Sequence, residues 1–127
     1  ELNVVPENVY YAEGDNNWLN TQLGMTAWGA RPTPQEYLSV AYTEGAAFNE
    51  SRWDNEELAR LAQEASRTAE IDARAALYDE ISGIFLESGP VIIPYFRPVV
   101  AAHADRVDGI VLHSFPGRTD FTGVDLR

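Results

Sequence analysis

Residues Thr26-Ala27-Trp28-Gly29-Ala30-Arg31-Pro32-Thr33-Pro34-Gln35-Glu36 constrain this chain more than any other stretch. Gln22 to Trp28 is a short, moderately apolar run of strand character. It breaks at Gly29, and Pro32 and Pro34 forbid its continuation as a regular ladder member, because proline has no N–H to donate. Thr33 is placed to cap a helix opening at Pro34, with proline at the tolerated first position and Glu36 at the third. A strand that ends in an aromatic residue, a glycine and an arginine just before a helix is a common way for an α/β sheet to present a ligand contact.

The remaining punctuation predicts a mixed α/β fold. Leu2 to Pro6 reads, with Glu1, as a strand entered midway, without an initiator methionine or a signal-type segment. The expectation is a piece of a larger protein. Tyr10, Tyr11, Trp18 and Leu19 fit a helix interrupted near Gly14, and Tyr42 to Trp53 is polar and turn-rich. Asp54 is the expected cap of the next helix, with Glu57 three residues on. There Leu58, Leu61, Ala62 and Ala65 recur at the spacing of one buried face. A second helix is expected over 71–88, with Leu77, Ile81, Ile84 and Phe85 inward and Gly89-Pro90 ending it. The continuous apolar run Val91 to Phe96 predicts a strand buried on both faces, hydrogen-bonded on one side only because of Pro94. Shorter strands are expected over 99–102, 109–113 and 121–126, with Asp108-Gly109 as a turn. Leu58, Leu61, Leu77, Ile81, Phe85, Ile92 and Ile93 form the expected core, around the 91–96 strand.

Charge and composition narrow the function. A chain of 127 residues, 45% hydrophobic, fits one small domain. Its net charge is −11, and its 9 Lys and Arg residues nowhere cluster. Nucleic acid and anionic membrane surfaces are therefore poor partners. No apolar run reaches the roughly 18 residues of a membrane span, so no direct membrane insertion is expected. Without cysteine there is no disulfide scaffold and no thiolate zinc site, and the compartment stays open.

In order along the chain stand Trp28-Gly29-x-Arg31-Pro32, Asn49-x-x-x-Trp53-Asp54-Asn55, Arg74-x-x-x-Tyr78-Asp79-Glu80-Ile81 and Glu87-Ser88-Gly89-Pro90-Val91-Ile92-Ile93-Pro94. This series resembles the C-terminal quarter of the extracytoplasmic solute-binding proteins (family 5) of peptide and nickel ABC transporters, and covers nearly everything from about Asn17 onward. The resemblance implies the C-terminal part of a two-lobed, periplasmic-binding-protein-like α/β fold that closes on its ligand by hinge motion. It implies that residues 1–97 belong to the C-terminal ligand-binding lobe and that 98–127 return to the N-terminal lobe. A returning segment without its strand partners folds back irregularly, stays poorly ordered or pairs with another copy.

Three residues are the ligand-binding candidates. A tryptophan at a strand end serves either the core or a cleft wall, where its indole offers a rigid surface and one donor. In peptide-binding relatives the residue matching Trp28 lines the cleft, and Gly29 lets a ligand backbone approach closely. Arg31 departs from the pattern, since peptide-binding members often carry an aspartate there that pairs with the ligand's amino group. A guanidinium instead suits a carboxylate or phosphate, or pairs with one of the chain's 20 Asp and Glu residues.

Other landmarks read as structural. Asn49 suits local turn bonds, and Trp53 suits a hydrophobic staple beside a helix cap. Asn49-Glu50-Ser51 is formally a glycosylation sequon, which a bacterial origin would void. His103 and His113, ten residues apart, lack the converging ligands a metal needs. Glu56-Glu57 and Asp79-Glu80 are adjacent pairs whose side chains diverge on a helix. There is no nucleophile elbow, phosphate loop or HExxH motif.

The expectation is thus a non-enzymatic binding protein of the bacterial cell envelope, periplasmic or extracellular and membrane-anchored. It holds a peptide or other small polar solute and delivers it to ABC permease subunits, without cofactor or metal. A solute-sensing domain of a transcriptional regulator is the alternative with the same fold. A hydrolase is a third class and requires catalytic residues that this stretch lacks.

Overall fold

The computed structural model describes residues 2–12, 14, 17–115 and 117–127. It is mixed in structure, with helices α1 (Glu7–Tyr10), α2 (Asn17–Asn20), α3 (Pro34–Tyr37), α4 (Glu56–Arg67) and α5 (Ile71–Ser88), and a π-helical turn over Leu38–Tyr42. Strands β1 (Val107–Asp108) and β2 (Asp125–Leu126) make one antiparallel pair, with Val107 opposite Leu126. Two compact units divide the chain: Glu1–Ala27 with Pro34–Pro90, and Trp28–Thr33 with Val91–Arg127.

The larger unit is built on the α4–α5 pair. Leu58, Leu61, Ala62 and Ala65 are the buried face of α4, as their spacing predicts. Ile81 of α5 and Leu38 of the π-helical turn close on them, with Leu77, Tyr78, Ile84, Phe85, Tyr42 and Trp53 packed around. The cap of α4 lies one residue later than expected. Asn55, not Asp54, is the cap: its backbone is extended and its side chain accepts from the Leu58 N–H at 2.9 Å. The capping reach runs from the cap to the third helical residue, which from Asn55 is Leu58. Helix α5 spans the expected residues, and the Glu70 carboxylate caps it by accepting from the Asp72 and Ala73 N–H groups at 3.1 and 2.6 Å. The bonds from the Ala73 and then the Asp72 N–H hold Glu70 below the usual carboxylate range.

Upstream, α3 opens at Pro34 as expected and passes directly into the π-helical turn, where the Thr43 hydroxyl bonds back to the Leu38 carbonyl at 3.3 Å. Helices α1 and α2 are single turns; α1 closes at Tyr11, whose N–H bonds to the Glu7 carbonyl, and Gly14 between the two helices has a φ of +96°.

The strand expectations fail in four places and hold in fragments. Residues 2–6 and 22–28 contain no strand, and Glu1 lies outside the described residues. Val91–Phe96 is neither a strand nor core: Ile92 is 83% exposed and Ile93 62%. The run has the β-branched composition of a buried strand, yet among the described residues no main-chain hydrogen bond reaches it, and a strand exists only through its partner. Residues 99–102 are likewise exposed and irregular. Within 109–113 the only pairing among the described residues is a single bridge from Val111 to Asp120, and of 121–126 only the last two residues are strand. The tail otherwise closes on itself through the Arg127 N–H to the Arg106 carbonyl at 2.8 Å and an Arg127–Asp108 ion pair.

Candidate functional site

Four places hold clustered polar or aromatic groups. The first is Trp28, Gly29 and Arg31, which all fall in the smaller unit. Trp28 is half-buried, while Gly29 and Arg31 are exposed. The Arg31 guanidinium folds back over the glycine, its Nη1 4.0 Å from where a Cβ on Gly29 would stand. Among the described residues Arg31 makes no ion pair, although the chain carries 20 acids. The segment therefore brings an indole, an exposed glycine and a cation within four residues.

The second is an aromatic groove of about 160 Å³ in the larger unit. Tyr37, Tyr42, Tyr78 and Phe85 wall it over a floor of Leu38 and Ile81. Tyr42 meets Phe85 edge-on at 4.9 Å, and burial pushes its phenol above the ordinary tyrosine value. Among the described residues no charged side chain lines it, and its aromatic walls suit a small apolar group.

The third lies in the loop before α4, where Glu44, Asn49, Arg52, Trp53 and Asp54 border a shallow cavity of about 250 Å³. Asn49 is structural here, as expected: its Nδ2 donates to the Trp53 carbonyl at 2.8 Å and its Oδ1 accepts from Ser51 at 2.9 Å. Trp53 packs on Phe85 with ring centres 5.5 Å apart, so it serves the core. Arg52 carries a φ of +54°, the left-handed region that costs a non-glycine residue roughly 1 kcal/mol.

One polar cluster has no signature in the sequence. The Glu50 carboxylate accepts from Tyr10 at 3.1 Å, Tyr11 at 2.9 Å and Thr26 at 3.4 Å. Tyr11 also sits edge-on to Tyr10 at 4.9 Å and near Trp18 at 5.8 Å. Burial first, then the hydrogen bond to Glu50 and its negative charge, push the Tyr11 phenol up to about 12. A Cβ on Gly24 would fall 2.5 Å from the Tyr10 hydroxyl, so the glycine keeps that hydroxyl's place open. The cluster ties the N-terminal segment to the loop around Glu50. With three donors on the carboxylate it is suited to fastening rather than to base catalysis.

His113 accepts the Phe115 N–H through Nδ1 at 3.0 Å, and His103 Nδ1 lies 3.2 Å from the Ala104 carbonyl. Among the described residues no group of His, Asp and Glu is arranged to hold a metal ion, and no helix is long and apolar enough to cross a membrane. No protein-family model, curated protein or solved structure matches the chain.

Proposed function

We propose that this chain is part of the substrate-binding component of an ABC importer, holding a peptide or other small polar solute between two lobes for delivery to a membrane permease. The observation that carries the reading is Arg31, exposed, folded over Gly29 and without an ion-pair partner among the described residues. A guanidinium so placed can grip a ligand carboxylate in bidentate fashion, while the glycine admits the ligand backbone and Trp28 supplies apolar contact. The ordered landmarks from Trp28 to Pro94 give the same direction. The role is binding without catalysis, in the cell envelope, and the ligand class favoured is an anionic solute or peptide rather than one held by its amino terminus.

On this reading the 127-residue chain alone binds solute weakly, because the second wall and the closing motion lie outside it. Native mass spectrometry of the complete gene product, purified from its host, tests the reading. A co-purifying solute that Arg31→Ala releases supports it. A micromolar or tighter dissociation constant for the isolated chain contradicts it.

A further inference from the structure

The smaller unit exposes Val91, Ile92, Ile93, Tyr95, Phe96, Val99 and Val100 in one continuous stretch. No main-chain hydrogen bond among the described residues involves positions 91–103, so the backbone there is unpaired as well as the side chains. Such a stretch is a template for strand addition.

Its prolines say which edge pairs. Pro90, Pro94 and Pro98 all stand at even positions. In a strand, alternate residues direct their N–H and C=O groups to opposite edges. The even edge thus lacks every second N–H, whereas Val91, Ile93, Tyr95, Arg97 and Val99 give the odd edge an unbroken row. The segment is built to accept one neighbour, and to refuse a second.

We infer that the neighbour is a second copy of this chain, the two 91–99 segments pairing antiparallel through their odd edges. The register that opposes all five odd residues is centred on Tyr95, with Ile93 facing Arg97 and Val91 facing Val99. It sets each Pro94 across from Phe96 in a pair that exchanges no main-chain bonds, where proline is tolerated. The like-charged Arg97 side chains are not opposed. Charge favours this site over others: no acid lies between Glu87 and Asp105, so two chains of net charge −11 meet here without setting carboxylates together. Both outer edges of the ribbon are then the proline edges, and the assembly closes at two. This inference uses none of the solute-binding residues; it concerns the 127-residue chain, in which the 91–99 segment has no main-chain partner among the described residues.

Sedimentation velocity of the 127-residue chain over a concentration series is the test, with Ile93→Pro and Ile92→Pro compared against wild type. The two variants lose the same side chain from adjacent exposed positions and remove an N–H from opposite edges. The expected result is a concentration-dependent dimer that Ile93→Pro weakens by about tenfold or more, while Ile92→Pro changes it by less than about threefold. Circular dichroism should show unchanged helix content in both variants. A wild-type chain that is monomeric up to millimolar concentration, equal weakening by the two prolines, or growth beyond a dimer overturns the inference.

Discussion

The Tyr11 hydroxyl donates to Oε1 of Glu50 across 2.9 Å, joining segments 39 residues apart. Because Tyr10 and Thr26 bond to the same carboxylate, one side chain fastens two upstream segments to the loop before α4. Hydrogen bonds to a charged acceptor are among the stronger ones, and this site is only partly shielded. Tyr11→Phe should lower the unfolding free energy by about 1 kcal/mol, and Glu50→Ala by about 2 kcal/mol. Urea denaturation followed by circular dichroism measures both. A Glu50→Ala protein within about 0.5 kcal/mol of wild type would mean that the cluster holds nothing.

The same contact has a pH signature. Tyr11 has its phenol raised from 10.0 to about 12, so the folded state keeps a proton that the unfolded chain gives up earlier. Its contribution to stability is complete below pH 10 and is lost as the pH rises through about 12. Glu50→Gln removes the charge and weakens the acceptor, so one tyrosine should ionise earlier in an absorbance titration. Superimposable curves for the two proteins would contradict the assignment.

At the start of α4 the cap is Asn55. Asn55→Ala should cost about 1 kcal/mol, and Asp54→Ala less than about 0.5 kcal/mol. Thermal unfolding of the two variants separates them, and equal losses would return the cap to Asp54.

The core makes a sharper contrast. Leu58 is fully buried, whereas Ile92 is 83% exposed. Leu58→Ala should destabilise by about 2–5 kcal/mol through lost transfer energy and the cavity left behind. Ile92→Ala should change the stability of the monomeric chain by less than about 0.5 kcal/mol. A large loss at Ile92, measured by urea denaturation at low protein concentration, would restore it to the core.

What was legible in the sequence was local. The limits of α5 and the buried face of α4 follow from a 3.6-residue period and from terminal signals within one turn of the residues they govern. The helix start at Pro34 is equally local. The strand over 91–96 was misread because β-branched composition describes what a strand would bury, not whether a partner is present. Glu50 was missed because its donors lie 24, 39 and 40 residues away in sequence, and nothing near it marks a meeting point. Trp28, Gly29 and Arg31 are close in sequence, so their proximity was legible, but the fold of Arg31 over Gly29 was not.

The central claim rests on Trp28 and Arg31, and titration calorimetry of the complete gene product against carboxylate-bearing peptides and small anionic solutes tests it most directly. The account predicts saturable binding that Trp28→Ala weakens by about 1–3 kcal/mol, as for a buried aromatic anchor. Arg31→Ala should weaken binding of the carboxylate ligands while leaving their uncharged amides nearly unaffected. Unchanged affinity in Trp28→Ala with lowered thermal stability, together with no ligand-charge dependence at Arg31, would contradict it and make both residues part of the scaffold.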